Sequence, residues 1–428
     1  MKLLYKFFLL IYPIGVRLVS IWNPKAASWI GGRKNLFQLL RRDFPVGTKK
    51  IVWMHCASLG EFEQGKPVLQ KLTEKYTGFR IVVTFFSPSG YQNARKDPAF
   101  EHVYYLPMDS PSNAKKLLDI LQPEVIFWVK YEYWHYYLQE IKQRNIPLVL
   151  ISGVFHQRQI FFKWYGGFYR RMLQCFSHFF VQNNSSAANL KALIPEEKIT
   201  VSGDTRCDRV IYIAEHFTEV PGIDRFCGNS QVIVAGSTWE DDEAEWTHFV
   251  KTHPEIRFIV APHEIDEENL LDVKKEFAGA VFYSEWVQNL ETAVAGSTSA
   301  RKDMGTHCLI IDNIGMLSRL YRYATVTYVG GGFGFDGLHN VLEAAVYGKP
   351  VIFGPEYDKN FEAQELIDCS GAISVENALE LEQILNSLLP RESEIRARGL
   401  AARDYVYNNS GASEKILQFI QKNRLLTN

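Results

Sequence analysis

The stretch from Tyr328 to Pro355 constrains the fold more than any other part of the sequence. Its letters, YVGGGFGFDGLHNVLEAAVYGKPVIFGP, predict a strand, a glycine-rich turn, a helix and a second strand. The closely spaced glycines allow a tight turn and a close approach of the backbone to a ligand. A helix is expected from Leu338 to Tyr347, because Gly348 suits the end of a helix and Pro350 cannot continue one. The unit is typical of an α/β protein and presents N–H groups to a phosphate.

Three polar side chains belong to the predicted helix. His339 and Asn340 lie in its first turn, and Glu343 follows on the same face, where its carboxylate can accept hydrogen bonds from a ribose. The simpler alternative is a glycine-rich turn beside a solvated helix face, since the dinucleotide-binding G-x-G-x-x-G pattern is not met. A second turn next to the first favours a nucleotide-sugar site. Its further predicted donor contacts are Gly331, Gly332 and Asn360.

Length and composition set wide limits on function. A chain of 428 residues with 46% hydrophobic and 22% charged residues is expected to form two globular domains. A formal net charge of −1 gives no reason to expect a nucleic-acid partner. The six cysteines are scattered, which disfavours a zinc module or a disulfide framework. No motif of closely spaced metal ligands is present, so we expect neither a metal nor any other cofactor.

The first 22 residues are apolar but include Lys6, Pro13 and Arg17. No small-residue cleavage site follows them, so a cleaved signal peptide is disfavoured. Charges near the middle would make spanning a bilayer costly, so residues 1–22 favour an interfacial or imperfectly spanning membrane anchor. An amphipathic helix packed on its own domain is the alternative. Basic residues between positions 33 and 50 suit an anionic membrane face, or simply solvated surface.

Strands alternate with helices through the rest of the chain, which indicates parallel sheets in two α/β domains. We expect a first domain over residues 23–214, a linker over 215–230 and a second domain over 231–428. An alternative for the last helices of the second domain is that they pack on the first domain. Ligands are expected at the carboxyl ends of the strands, in a cleft between the domains. Seven strands are predicted before the linker and six after it, the last of them at Val351 to Phe353.

Polar residues follow two strands of the first domain. Glu61 comes after the first strand, where a carboxylate can act as a general base, although acidic residues also simply favour a first helical turn. Glu132 follows the fourth strand. Its carboxylate is expected to bind a substrate hydroxyl or to assist Glu61, and the alternative is a salt bridge with Lys130. Tyr131 and Trp134 either stack on a sugar or pack in the core. The further acceptor or phosphate candidates are Ser58, Gly60, Lys130, Trp134 and Arg206.

Two loops of the second domain carry the remaining candidates. Ser237 and Thr238 follow its first strand, and their hydroxyls suit either a phosphate or a cap for the acidic helix that follows. Pro262 and His263 follow its second strand. A histidine there can contact a phosphate or a base, but a lone histidine is more often structural or exposed.

In their order and spacing, these motifs resemble the 3-deoxy-D-manno-octulosonic acid (Kdo) transferases of lipopolysaccharide assembly. The resemblance covers nearly the whole chain. The matching stretches are Ala57 to Glu61, Tyr131 to Trp134, Gly203 to Asp208, Gly236 to Glu240, Ala261 to His263, Gly330 to Glu343, Gly354 to Pro355 and Asn360 to Phe361.

The resemblance implies a GT-B fold and an inverting glycosyltransferase at the cytoplasmic face of the inner membrane. The donor would be CMP-Kdo, and the acceptor a hydroxyl of the lipid A precursor (lipid IVA). By this resemblance Glu61 is the general base and Glu132 assists at the acceptor. Residues from Gly331 to Asn340 would hold the CMP phosphate and Glu343 the ribose.

The chain departs from the family pattern at two places. Lys130 and His135 stand where the family often has an acid and a proline, and Pro262-His263 lacks the arginine that often separates them. Arg206 is the candidate replacement for that arginine. The alternatives are a GT-B enzyme that uses another nucleotide sugar, either a glycosyltransferase or an epimerase, and a membrane-bound sugar- or nucleotide-binding protein without catalysis.

Overall fold

The computed structural model describes residues 1–47, 50–130, 132–294, 305–334, 337–358 and 360–427. Tyr131, one of the residues considered for sugar stacking, therefore lies outside the described residues. The chain forms two compact units, one of Met1–Asp208 with Ser410–Asn428 and the other of Arg209–Asn409.

The first unit is built on a seven-stranded parallel sheet in the order β3-β2-β1-β4-β5-β6-β7. All seven strands predicted for this half form, because their near-continuous apolar runs suit strands that are buried on both faces. The strands are β1 Ile51–Cys56, β2 Arg80–Phe85, β3 His102–Tyr105, β4 Val125–Val129, β5 Leu148–Gly153, β6 His178–Val181 and β7 Ile199–Val201.

Helices cover both faces of this sheet and bury two apolar clusters against it. Much of the aromatic content of the first half of the chain lies there, with Trp53 and Trp128 fully buried. The helices are α1 Lys2–Val19, α2 Pro24–Gly31, α3 Leu36–Asp43, α4 Leu59–Lys75, α5 Pro88–Lys96, α6 Pro111–Leu121, α7 His135–Gln143, α8 Gly167–Leu173, α9 Asn184–Lys191 and α10 Thr205–Glu215.

The second unit contains another seven-stranded parallel sheet, in the order β10-β11-β9-β8-β12-β13-β14. The six predicted strands form, and β14 is a seventh that the sequence analysis missed. The strands are β8 Val232–Thr238, β9 Arg257–Pro262, β10 Val281–Phe282, β11 Cys308–Ile310, β12 Val326–Val329, β13 Val351–Phe353 and β14 Ala372–Ser374. The helices are α11 Ile223–Cys227, α12 Glu240–Thr252, α13 Glu267–Glu276, α14 Tyr283–Val294, α15 Leu317–Leu320, α16 Leu342–Ala345, α17 Phe361–Asp368, α18 Ala378–Leu388 and α19 Glu392–Asn408, followed by α20 Ala412–Lys422.

The structure divides the chain inside α10, between Asp208 and Arg209, and not at the linker expected over residues 215–230. The predicted linker lies within the second unit, where Ile223 and Phe226 of α11 are buried. Its proline and glycine residues mark turns around α11, not a boundary. Helix α20 belongs to the first unit, an arrangement that the sequence analysis had allowed for.

Asp208 holds α20 in the first unit. Its carboxylate accepts hydrogen bonds from the backbone N–H groups of Gly411, at 2.5 Å, and Ser413, at 2.6 Å. These are free N–H groups of the first turn of α20, so Asp208 caps a helix that is distant in sequence. Ile416 and Ile420 of that helix then pack in a core cluster of the first unit.

Helix α1 is attached to the first unit by a partly buried hydrogen bond. The Tyr5 hydroxyl donates to Asp109 at 2.6 Å, and Asp109 also accepts the Tyr136 and Tyr137 N–H groups at the start of α7. Burial raises the pKa of Asp109 to about 6, although these donors oppose the shift. No helix in the described part of the chain combines the length and the apolar content that crossing a bilayer requires.

The cap made by Asp208 predicts a stability effect. We expect Asp208→Ala to lower the free energy of unfolding by about 1–2 kcal/mol, the usual cost of losing a helix cap. Asp208→Asn keeps one acceptor oxygen, so its free energy of unfolding should lie between those of the native protein and Asp208→Ala. Urea unfolding followed by circular dichroism measures the change, with the exposed Glu74→Ala of the same unit as control. An Asp208→Ala protein as stable as that control would contradict the cap.

Candidate functional site

The predicted site residues lie at corresponding places in the two sheets. In the first unit β1 has β2 on one side and β4 on the other, and in the second unit β8 lies between β9 and β12. Chain connections diverge at these central strands, and ligands of open α/β sheets bind at the carboxyl ends of such strands. Glu61 and Glu132 follow β1 and β4, whereas Thr238, His263 and the glycine-rich loop follow β8, β9 and β12.

Glu61 lies in the first turn of α4 and is nearly buried, with 8% of its surface exposed. Its Oε2 accepts a hydrogen bond from the backbone N–H of Ala57, in the loop that follows β1. The side chain therefore turns back toward its own loop, as acidic residues in a first helical turn commonly do. Ser58 precedes the helix and Gly60 is exposed in its first turn.

One carboxylate oxygen of Glu132 contacts two ring nitrogens. Its Oε2 lies 2.8 Å from the indole Nε1 of Trp134 and 3.2 Å from Nε2 of His55. Its backbone carbonyl accepts the indole N–H of Trp128. Trp134 itself is 7% exposed and packs with the apolar cluster of the first unit, so the core-packing alternative describes it better than sugar stacking.

Lys130 and Arg206 lie close to one carboxylate, that of Asp204. Burial would raise the pKa of Asp204, but Arg206 and Lys130 together lower it. Arg206 pairs with Asp204 at 2.7 Å and belongs to the first unit. Its predicted contact with the donor phosphate stays a prediction.

The glycines of the loop after β12 are needed because backbones meet there. A Cβ on Gly332 would lie 2.6 Å from the backbone nitrogen of Gly354, and a Cβ on Gly330 would collide with the backbone of Ser237. The second turn at Gly354 therefore packs directly on the glycine-rich loop, as the sequence predicted. Ser237 itself has a positive φ of 54° at the end of β8.

Asp242 determines the shape of this loop. Its buried carboxylate accepts hydrogen bonds from the Tyr328 hydroxyl at 2.6 Å, the Gly331 N–H at 2.8 Å and the Trp239 N–H at 2.9 Å. Burial raises the pKa of Asp242, and these donors act against the shift. The Gly331 N–H is thus bonded inside the protein, and the predicted contact of Gly331 with the donor stays a prediction.

The predicted helix from Leu338 to Tyr347 is mostly loop. Only α16, Leu342–Ala345, is helical, and Gly337 has a φ of 87° before it. His339 and Asn340 precede the helix, so their placement in its first turn was wrong. Asn340 still contacts Glu343, donating from Nδ2 to Oε1 at 3.2 Å. Asn360 donates to the Leu338 carbonyl at 2.9 Å and so fastens this loop from the other side.

Arg209 is a site residue that the sequence analysis missed. Burial raises the pKa of Glu343, while Arg209 and Asn340 oppose that shift. Burial likewise lowers the pKa of Arg209, and Glu343 opposes it. The two opposite charges therefore lie close together within the second unit. The only signal in the sequence was the position of Arg209, directly after the recognised stretch that ends at Asp208.

Three aromatic rings are stacked at the ends of β8 and β9. The His263 ring lies 4.5 Å from the Trp239 ring and 4.4 Å from the His339 ring, measured between centroids. Trp239 also donates from Nε1 to Nε2 of His339 at 3.1 Å. A neutral His339 then carries its hydrogen on Nδ1. Pro262 ends β9, and the His263 N–H donates to the carbonyl of Thr238.

The Thr238 hydroxyl is engaged within the protein. It donates to Oε1 of the buried Glu243 at 2.7 Å, so its hydrogen is directed away from any phosphate while Glu243 is ionised. Burial raises the pKa of Glu243 to about 7. The prediction that Thr238 and Ser237 bind phosphate stays untested.

The raised pKa of Glu243 makes stability depend on pH. The folded protein binds this proton more tightly than the unfolded chain, so the contribution is complete below about pH 4.5 and is lost as the pH rises through about 7. We expect the unfolding free energy of the native protein, relative to Glu243→Gln, to fall by about 2 kcal/mol between pH 5 and pH 8. Urea unfolding at both pH values measures it. The exposed Glu240→Gln serves as control. If the stability difference between the native protein and Glu243→Gln changed with pH as little as the difference for this control does, the raised pKa of Glu243 would be contradicted.

Within the described residues, no three His, Cys, Asp or Glu side chains come together as metal ligands. The expectation of chemistry without a metal stays a prediction.

Comparison with known proteins supports the resemblance that the motifs indicated. A family model described as 3-deoxy-D-manno-octulosonic-acid transferase matches residues 33–209. The chain is 25% identical over 379 residues to a 3-deoxy-D-manno-octulosonic acid transferase of Aquifex aeolicus, covering 84% of this chain and 93% of that protein. It is 23% identical over 422 residues to the transferase of the same name from Haemophilus influenzae, covering 95% and 94%.

Among solved structures, the UDP-GlcNAc 2-epimerase of Neisseria meningitidis aligns with a TM-score of 0.62 and 15% identity, over 87% of this chain and 100% of that one. At this identity the likeness concerns the fold alone. The comparisons confirm the predicted GT-B fold, the predicted resemblance to the Kdo transferases and the predicted enzyme class, a glycosyltransferase.

Proposed function

We propose that this chain transfers Kdo from CMP-Kdo to a hydroxyl of the lipid A precursor, with inversion at the anomeric carbon. The observation that carries the proposal is Glu61, a nearly buried carboxylate at the carboxyl end of the central strand, inside the segment matched by the family model. Glu61 accepts the proton of the acceptor hydroxyl. The acceptor oxygen then bonds to the anomeric carbon, and CMP departs with the electrons of the broken bond.

The surroundings of Glu61 suit this role. Glu61 is 8% exposed and the nearby thiol of Cys56 is fully buried, so water has little access to the carboxylate. Burial raises the pKa of Cys56, and Glu61 adds to that shift, which keeps the thiol neutral and leaves Glu61 as the base. Glu132, at the end of the adjacent strand β4, holds the acceptor in place.

The second unit supplies the donor site in this proposal. Glu343 binds the ribose hydroxyls, with Asn340 fixing the orientation of its carboxylate. The family often has an arginine between the residues that correspond to Pro262 and His263, and this chain lacks it. Arg209 contributes the positive charge in its place. The ring stack of Trp239, His263 and His339 provides N–H groups and flat surfaces for the nucleotide. Donors fixed in this way stabilise the charge that develops on the departing CMP.

The role of Glu61 predicts a separation of binding from catalysis. Glu61→Gln should retain CMP binding within about twofold but lose roughly 10²–10⁴-fold in transfer rate, the usual contribution of a general base. Mass spectrometry of an acylated disaccharide acceptor measures transfer, and calorimetry measures CMP binding. Glu74→Gln, exposed near the end of the same helix, is the matched control. Transfer by Glu61→Gln at the native rate would contradict the assignment of the base.

We also propose that α1 attaches the first unit to the cytoplasmic face of the inner membrane. One side of α1 packs on the unit through Tyr5 and Leu9, while other apolar residues, among them Leu3, Phe7 and Leu10, are exposed. Trp164 is 89% exposed in the same unit, and indole rings favour the membrane interface. Arg17 and the basic residues that follow favour anionic lipid headgroups.

Charged substitutions on α1 test this attachment. Leu3→Glu with Leu10→Glu, both at exposed positions, should weaken binding to anionic vesicles by about tenfold or more, because apolar contact is lost and like charges repel. Co-sedimentation with vesicles measures binding. Leu379→Glu, equally exposed on α18 of the second unit, should bind as the native protein does. Unchanged binding of the α1 variant would exclude α1 as the anchor.

A further inference from the structure

His55 is fully buried on the central strand β1, between Thr84 on one neighbouring strand and Glu132 after the other. Its Nδ1 lies 2.9 Å from the Thr84 hydroxyl and 3.2 Å from the Thr84 carbonyl. Its Nε2 lies 3.2 Å from Oε2 of Glu132. Each of the two ring nitrogens therefore has a partner, and the imidazole links the interior of the sheet to the carboxylate.

The groups at the two ends of this chain of contacts determine which atom donates and which accepts in each hydrogen bond. Trp53 can only donate, and its indole N–H lies 2.8 Å from the Thr84 hydroxyl oxygen. The single hydroxyl hydrogen of Thr84 is then available to donate to Nδ1 of His55. At the other end an ionised Glu132 can only accept, so Nε2 of His55 must carry a hydrogen. A neutral imidazole with its hydrogen on Nε2 satisfies every group in this chain.

The competing arrangement is a doubly protonated ring that donates from Nδ1 to the Thr84 carbonyl. It places a positive charge on a side chain with 0% exposure, which is unfavourable. A cation is already near Glu132, because that carboxylate is one of the groups that support the charge of the buried Arg33. The ionised form of Glu132 therefore needs no second positive charge from His55.

We propose that Trp53, Thr84 and His55 form a positioning relay that fixes Glu132 for acceptor binding. The relay and Trp134 both donate to Oε2, whereas Oε1 makes no hydrogen bond to the described residues. The Glu132 side chain is 23% exposed, which leaves part of it within reach of a ligand. Glu132 thus acts as a fixed acceptor for a substrate hydroxyl, and Glu61 remains the proton acceptor. This role rests on the proposed transfer reaction, whereas the state of His55 does not.

The state of His55 is measured by nitrogen NMR on the full chain with ¹⁵N-labelled histidine in detergent. The His55 signals are identified by their loss in His55→Gln. We expect a neutral ring with its hydrogen on Nε2 at neutral pH. Thr84→Val removes the donor to Nδ1 and should move the hydrogen to Nδ1, facing the backbone carbonyl, while Thr84→Ser should keep the native state. A native ring with its hydrogen on Nδ1, or with both nitrogens protonated, would overturn the relay.

Kinetics test what the relay does for the acceptor. The amide N–H of Gln at position 55 reaches the place of Nε2, whereas the shorter Asn ends near Nδ1 and leaves Glu132 without this donor. His55→Asn and Thr84→Val should raise the acceptor KM by about 10–100-fold, the effect of losing a hydrogen bond to a charged group, with the donor KM unchanged. His55→Gln and Thr84→Ser should stay within about threefold of the native value.

Equal changes in the KM of both substrates, or equal losses in His55→Gln and His55→Asn, would show that His55 is only structural. A native protein without Kdo transfer would overturn the proposed function, while the nitrogen spectra would still decide whether the relay exists.

Discussion

The donor side of the site depends on one buried carboxylate, that of Asp242. It binds Tyr328 on β12, the start of α12 through Trp239 and the glycine-rich loop through Gly331. Three elements that meet at the end of the second sheet are thus tied to one side chain. The Gly331 N–H bond holds the glycine-rich loop against the start of α12. In the proposed donor site, the groups that meet the nucleotide are the ring stack, Glu343 and Arg209.

Carboxylates with hydrogen-bond donors around them also organise the first unit. Asp109 joins α1 to the start of α7, and Asp208 caps α20. Burying a carboxylate is costly unless such donors are supplied, and each donor set therefore specifies one arrangement of the backbone. These residues are structural. The proposed function assigns chemical roles instead to Glu61 and Glu132, at the carboxyl ends of β1 and β4.

The strands were predictable because buried parallel strands are runs of apolar, β-branched and aromatic residues. β14 was missed because Ile373 is its only β-branched residue and lies between Ala372 and Ser374, which do not favour a strand. The helix predicted from Leu338 failed for another reason. The His339 N–H bonds to the Gly330 carbonyl and Gly337 has a positive φ, so contacts with the loop override the local preference for helix. Local spacing identified Glu61, Glu132 and Glu343. It could not identify Asp242, Arg209 or the relay through His55, because their partners lie far away in the sequence and meet only through the strand order.

The most direct test of the account is transfer by the native protein itself. Purified protein in detergent would be given CMP-Kdo, generated in place, and a tetra-acylated disaccharide acceptor, with a chelator present. We predict that mass spectrometry will show an acceptor heavier by one or more Kdo units. An acceptor of unchanged mass, from a protein that binds CMP, would leave the GT-B fold standing but would contradict Kdo transfer and require a different donor or acceptor.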